Sequence, residues 1–272
     1  MPTLSIIIVS YNAREDLARC LESLHAAPPS IPHDVTLVDN ASTDRLLVET
    51  VRSRWPRVRI VVQDRNRGFA AGTNAGIRQS TGDLLLLLNS DTVVPPGAID
   101  VLIARLQANP SAAVAGPRLI DANGLVELSF GWMISPLGEL RQRAIGGLHL
   151  AGFAPVRSWV DRTTRREQFV DWVSGACLLV SRADAEAVGL LDERYFLYTE
   201  DVDFCAAIRA RGKRILFAPA AEVTHARGRS RATVSGGAAP EYRRSQLAFY
   251  EKHHPSWVPA LKAYLRLKRE LP

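Results

Sequence analysis

The chain has 272 residues, 47% apolar and 23% charged, with three cysteines and a net charge of +6. That composition excludes a disordered, collagen-like or fibrous chain, and three scattered thiols exclude a disulfide framework or a four-thiolate zinc site. The positive balance suits phosphorylated ligands, nucleic acid or an acidic membrane face, without choosing among them.

Leu4 to Ser10 reads LSIIIVS, a β-branched run of the kind found in strands covered on both faces. Leu17, Cys20, Leu21 and Leu24 then recur at helical spacing over Asp16 to Leu24, and Pro28, Pro29 and Pro32 end that helix. Val35 to Val38 is expected as a strand, Arg45 to Trp55 as a helix stopped before Pro56, and Val58 to Gln63 as a third strand. Ala70 to Gln79 reads as a helix despite two glycines, and Leu84 to Leu88 as a fourth strand buried on both faces. This βαβαβαβ order predicts an α/β fold with a doubly wound, mostly parallel sheet flanked by helices. Beyond it, Ala98 to Gln107 reads as helix, while Gly131 to Glu167 has no clean period and is expected to be a mobile loop or irregular lobe. Order resumes with a strand at Cys177 to Val180, helices at Ala183 to Val188 and Asp201 to Arg211, and a strand at Arg214 to Phe217. From Tyr242 the tail reads as helix, broken at Pro255 and Pro259. The organisation expected is one domain over residues 1–240 with a helical, basic appendage at 241–272.

An odd cysteine count, and a first stretch lacking a basic leader and a small-residue cleavage site, imply a reducing, cytoplasmic setting. The leucine run at 84–88 falls far short of the roughly 20 residues that cross a bilayer.

In a doubly wound sheet, ligands sit beyond the carboxyl ends of the strands. There is no P-loop, no dinucleotide fingerprint after the first strand, and no nucleophile elbow. The strand ends supply polar groups instead: Ser10-Tyr11-Asn12 after the first, and Asp39-Asn40-Ala41-Ser42-Thr43-Asp44 after the second. Asp39 could accept the N3–H of a pyrimidine ring, whereas Asn40, Ser42 and Asp44 also suit helix capping. After the third strand, Asn66 opens a stretch in which Gly68, Gly72 and Gly76 repeat every four residues, which permits close backbone approach to a strand or a ligand. The fourth strand ends in Asn89-Ser90-Asp91-Thr92. A carboxylate leaving a doubly buried strand is costly without a partner, and a divalent cation bridging to a diphosphate would be one.

Together SIIIVSYN, VDNASTD, NRGFAAGTNAGI, LLLLNSDT, WVSGACLLVSR, LYTEDVDFCAAIRARG and the His225 region, seven blocks in order over residues 3–231, resemble the family 2 glycosyltransferases of the GT-A fold, and among them bacterial rhamnosyltransferases most. The resemblance implies that Asp39 holds the nucleotide base, with Ser10, Tyr11, Asn12, Asn66, Gly72 and Ser90 around the nucleotide. It implies that Asp91 and His225 hold Mg²⁺ or Mn²⁺, although Asn89 and Ser90 stand where acidic residues often sit. Trp172, Gly175 and Glu200 fall beside the sugar and acceptor, and Asp201 at the general base. Physically, an acceptor hydroxyl must lose its proton as it attacks, and a positioned carboxylate can take it; Asp201 also suits a helix cap, and Trp172 also suits the core. Asp203 reads as a solvated or structural group. Arg227 and Arg229 could clamp a diphosphate, while Arg231 reads as part of a solvated basic loop.

The implied activity is transfer of a sugar, with inversion, from a nucleotide-diphospho-sugar to an acceptor hydroxyl in cell-surface glycan synthesis. The donor is dTDP-rhamnose or a UDP-sugar, and the acceptor a glycan or lipid-linked glycan. The basic tail reads either as a helix lying on the inner face of the plasma membrane or as one packed on the domain or a homodimer partner. Two readings compete: a non-catalytic relative that keeps the fold, and a nucleic-acid-binding module. The second has only the charge in its favour, with no recognition helix, zinc or aromatic-stacking signature, so no nucleic acid is expected.

Overall fold

In a computed structural model that describes residues 2–44, 46–226 and 238–272, the N-terminal β-branched run forms β1 (Leu4–Ser10), buried along nearly its whole length. Ile6 and Ile8 join an apolar cluster with α1 (Arg14–Ala26) and α2 (Leu46–Arg54). Ile7 points to the other face, into a second cluster beneath α3 (Gly68–Arg78). β2 (His33–Asp39), β3 (Arg59–Val62) and β4 (Leu84–Asn89) run parallel with β1 in the order β3-β2-β1-β4. The chain therefore steps outward from β1 and then returns to β1's other side. The crevice at the carboxyl ends of β1 and β4 is the topological switch point where such sheets bind ligands.

The far half of the sheet is mixed rather than mostly parallel. β10 (Cys177–Ser181) lies antiparallel between β4 and β6 (Ala112–Ile120), and β11 (Arg214–His225) is parallel to β6. β5 (Thr92–Val93) and β8 (Gln168–Val170) both pair antiparallel with β11. β7 (Phe130–Gly131) and β9 (Trp172–Val173) make a separate two-stranded ribbon. The strand read as ending at Phe217 runs on to His225, past Pro219, because a register shift between Ala218 and Glu222 absorbs the interruption. α4 (Ala98–Gln107), α7 (Arg182–Ala187) and α8 (Glu200–Ala210) complete the flanking layers.

Residues 131–167 are not an irregular lobe. They contain two helices, α5 (Pro136–Leu150) and α6 (Ala154–Thr163), packed on each other. Ser135 caps α5, accepting from the Gly138 N–H, and Pro136 fits the first helical position. The boundary expected at residue 240 does not separate two cores either. Phe249 and Tyr250 of α9 (Ala238–His253), and Leu261 and Leu265 of α10 (Val258–Leu267), are buried in the same apolar cluster as Ile7 and Phe204. Asp203, read as solvated or structural, is the anchor of that packing. It is 2% exposed and meets Lys252 Nζ at 2.8 Å, His253 Nε2 at 2.6 Å and the Tyr195 hydroxyl at 3.2 Å. Among the described residues, no helix is long and apolar enough to cross a membrane.

Candidate active site

Strand pairing assembles the site from segments far apart in the chain. Cys177 lies opposite Leu88, so the turn before β10 runs beside the end of β4, with the Asn89 N–H donating to the Ala176 carbonyl at 2.9 Å. His225 lies opposite Thr92, and the Ala226 N–H donates to the Asp91 carbonyl at 2.8 Å. α8 begins beside Gly175, whose N–H donates to Asp201 Oδ2 at 2.8 Å. These elements enclose a cavity of about 490 Å³ over the β1–β4 switch point.

Of the nucleotide-side expectations, Tyr11, Asn66 and Ser90 line this cavity, and so do Asp91 and His225. So do Trp172, Gly175, Glu200 and Asp201. Ser10, Asn12, Asp39 and Gly72 are not on its wall. Asp39 is 5% exposed and accepts the Ser42 N–H at 3.0 Å; Asn12 accepts the Thr43 N–H at 2.8 Å, so both are engaged in the loop after β2. Ser10 is buried at the β1 end. Gly72 packs helix on sheet, since a Cβ there would stand 2.9 Å from Val9 Cγ1. Arg227, Arg229 and Arg231 lie outside the described residues. Trp172 is largely buried and donates its indole N–H to the Trp132 carbonyl at 2.9 Å, an anchored aromatic with one edge on the cavity.

Asn40 does not cap a helix. Its side chain joins the β2 end to the entry of α3, donating to Asn66 Oδ1 at 2.9 Å and to the Gly68 carbonyl at 3.1 Å. Ser42 accepts the Asn12 N–H at 3.0 Å, while Asp44 does cap α2, accepting the Leu46 N–H at 3.0 Å. Several residues escape sequence reasoning. Glu127 contributes a second carboxylate to His225, and Phe69, Glu139, Arg143, Tyr198 and Tyr242 form much of the remaining wall.

His225 Nε2 stands 3.3 Å from Asp91 Oδ1, and Nδ1 stands 3.4 Å from Glu127 Oε1. Burial alone would lower its pKa, but hydrogen bonds and charge from Asp91 and Glu127 outweigh that and push it up to about 9. Among the described residues, no group of three or more acidic, histidine or cysteine side chains is arranged to hold a metal ion. What exists is a two-donor set, one carboxylate and one imidazole, with Glu127 on the second ring nitrogen as a tautomer-fixing partner. Holding Mg²⁺ or Mn²⁺ there requires the imidazole to release the proton that the two carboxylates favour, and substrate oxygens to complete the shell.

The entry to α8 is built on strained backbone. Tyr198 and Thr199, with φ of 70° and 72°, sit in the left-handed region immediately before α8. Two successive non-glycine residues there cost roughly 1–3 kcal/mol each, a cost that persists where surrounding contacts fix the geometry. Burial raises the Asp201 carboxyl above its ordinary value, against the lowering effect of the Gly175 and Val202 N–H groups. Glu200 is 6% exposed, and its Oε2 has no hydrogen-bond partner among the described residues. Burial first, and the charge of Asp201 second, raise its pKa well above the ordinary value of 4.5. The folded chain thus favours protonated Glu200. Its contribution to stability is full below the unfolded value and is lost as pH rises through the folded one. Glu200→Gln, which mimics the protonated form, is expected to melt above wild type at neutral pH and level with it at about pH 4. Calorimetry at the two pH values checks this, and an equal melting point at neutral pH would show that Glu200 ionises normally.

Comparison with solved structures gives the class first. A Pyrobaculum calidifontis mannosyltransferase, solved with GDP-Man and Mn²⁺, superposes with a TM-score of 0.62 at 17% identity over 97% of this chain and 69% of its own. S. aureus TarS, solved with UDP, gives 0.59 at 18% identity over 90% of this chain and 63% of its own. The chain has the GT-A glycosyltransferase fold. It belongs to glycosyltransferase family 2: the family model described as "Glycosyl transferase family 2" matches residues 5–167. A Mycobacterium tuberculosis protein named N-acetylglucosaminyl-diphospho-decaprenol L-rhamnosyltransferase is 32% identical over 93% of this chain and 86% of its own length. The family match ends before β8, so Trp172, Gly175, Asp201 and His225 lie outside it, within the span shared with the rhamnosyltransferase.

Proposed function

We propose that this glycosyltransferase moves L-rhamnose from dTDP-rhamnose to a hydroxyl of a lipid-linked glycan, inverting the anomeric centre. The observation that carries the reading is the shared cavity. A carboxylate held by a backbone N–H, Asp201 on Gly175, faces the same space as the Asp91–His225 pair, and no further nucleophile is needed. Rhamnose and the lipid-linked acceptor come from the mycobacterial relative's name, supported by 32% identity along nearly the whole chain.

The chain's own groups divide the work. The β1 and β2 ends hold the nucleotide: Tyr11 and Asn66 line its space, while Asp39 reads the base once the Ser42 N–H gives way. Asp91 and His225 would hold Mg²⁺ or Mn²⁺, which when bound offsets charge on the leaving diphosphate. Arg227 and Arg229 are proposed to clamp that diphosphate. Trp172 and Gly175 shape the sugar pocket. Asp201 takes the proton of the acceptor hydroxyl as oxygen attacks the anomeric carbon; the C–O bond to the diphosphate breaks in the same displacement. A raised carboxyl pKa brings the base nearer the working pH, which favours proton transfer.

Thermal shift with dTDP-, UDP- and GDP-sugars, each with and without Mn²⁺, tests the donor. dTDP-rhamnose is expected to raise the melting temperature most, and only with the cation, since binding to the native state stabilises it by mass action. A larger shift from a UDP- or GDP-sugar would overturn the rhamnose assignment, and equal shifts without Mn²⁺ would overturn the metal.

A further inference from the structure

Helix α5 is amphipathic in the reverse sense. Its inward face is polar: Glu139 accepts from the Tyr242 hydroxyl at 2.9 Å and from Gln246 Nε2 at 2.6 Å, and His149 Nε2 meets the Val126 carbonyl at 2.7 Å. Its outward face is apolar. Leu137, Leu140, Ala144 and Leu148 follow one another at three- and four-residue steps, and the three leucines are 81%, 67% and 45% exposed. Steps of three and four keep side chains on one face of a helix. Phe153 at the α5–α6 turn and Trp132 before α5 extend the patch, each half exposed. A soluble surface scatters such residues, whereas a contiguous apolar patch marks an interaction site.

The charge of the segment that carries the patch indicates what covers it. Arg141, Arg143, Arg157, Arg162, Arg165 and Arg166 lie between residues 136 and 167, against Glu139, Asp161 and Glu167. All three acids are already paired, Glu139 with Arg143, Asp161 with Arg118 and Arg165, and Glu167 with Arg105. Arg141 stacks on Trp132, its guanidinium 4.1 Å from the ring centroid. Leucines on one face of a helix in a basic hairpin, with the arginine-stacked Trp132 beside them, match the interface of an anionic bilayer, with apolar side chains in the acyl boundary and cations among the headgroups. A second copy fits less well, because a two-fold contact would set two basic hairpins against each other.

We propose that the outer face of the α5–α6 hairpin seats the enzyme on an anionic lipid bilayer. The basic tail, for which a membrane role was expected, has turned Phe249, Tyr250, Leu261 and Leu265 into the core and leaves Trp257, Tyr264 and Leu267 exposed. The same α5 that presents leucines outward lines the active-site cavity with Glu139, Gln142 and Arg143. A bilayer on its outer face therefore brings a lipid-linked saccharide to the cavity rim. This step rests on the acceptor reading above; the seating itself does not.

The test is flotation of the full chain with phosphatidylcholine vesicles and with vesicles containing about one-third phosphatidylglycerol, without any donor. Wild type is expected to float with the anionic vesicles, and Leu137→Gln/Leu140→Gln/Leu148→Gln to bind them at least about 100-fold more weakly. The triple variant should keep the wild-type melting temperature and its transfer to a soluble acceptor. Three results would overturn the proposal: no flotation of wild type, equal flotation of the triple variant, or loss caused instead by Trp257→Gln/Tyr264→Gln in the tail. A dimer in sedimentation that the triple variant dissolves, with no vesicle binding, would assign the face to a second copy. Failure of vesicle binding with sugar transfer intact refutes only the seating; vesicle binding without sugar transfer refutes the proposed function.

Discussion

Asp201→Asn is expected to lower kcat by about 10²–10⁴-fold while leaving donor affinity unchanged, the range that general-base assistance supplies. The substitution is nearly isosteric: the amide oxygen can keep the Gly175 N–H bond now made by Oδ2 at 2.8 Å, and what is given up is the local Val202 N–H bond now made by Oδ1 at 2.8 Å. The start of α8 and the cavity wall should stay in place, so the loss falls on proton transfer. Because burial raises the Asp201 pKa, the acid limb of the wild-type kcat/KM profile should lie above the ordinary carboxylate range. Stopped assays across pH with wild type and variant check both points. Normal turnover by the variant would remove Asp201 from the chemistry.

Gly68→Ala is expected to damage stability and activity together. Gly68 has φ of +85°, and a Cβ there would stand 2.3 Å from the Phe196 carbonyl oxygen and 2.7 Å from its Cα. That carbonyl accepts the Phe69 N–H at 2.7 Å, so α3 and the segment leading into α8 are joined at this point. A side chain here must push Phe196 away, and with it the strained Tyr198 and Thr199 that set the direction of α8. Left-handed strain and overpacking each cost about 1–3 kcal/mol, or together a melting temperature lower by roughly 5–15 °C for a chain of this size. Displacement of Asp201 by even about 1 Å can cost on the order of 100-fold in rate. Calorimetry and turnover measure the two effects. An alanine variant with wild-type melting and rate would show that this contact positions nothing.

How much of this was legible in the sequence follows from where the controlling contacts lie. β1 and β4 announce themselves because a strand buried on both faces must be apolar throughout, and the polar residues after them then mark the switch-point crevice. β6 was not legible. AAVAGPRLI carries glycine and proline inside it, and only the pairing with β10 and β11 makes it a strand. The α5–α6 hairpin was missed because the rule for reading helices expects apolar residues inward, and α5 turns its leucines outward. Within the site, Asp91, Asp201 and His225 stand in recognisable blocks. Glu127 does not: its partner lies 98 residues away, and no local pattern links them. For Asp203 the structural of the two readings holds, and the partners that decide it, Lys252 and His253, reach it from α9.

Titration calorimetry of dTDP-rhamnose in Mn²⁺ against Asp91→Asn and Asp201→Asn, side by side, addresses most directly the claim that one cavity separates donor holding from proton transfer. Asp201→Asn should bind as wild type does, and Asp91→Asn at least about tenfold more weakly, the effect of losing a group that acts on the donor alone. Wild-type affinity in Asp91→Asn, or equal loss in both variants, would contradict that division.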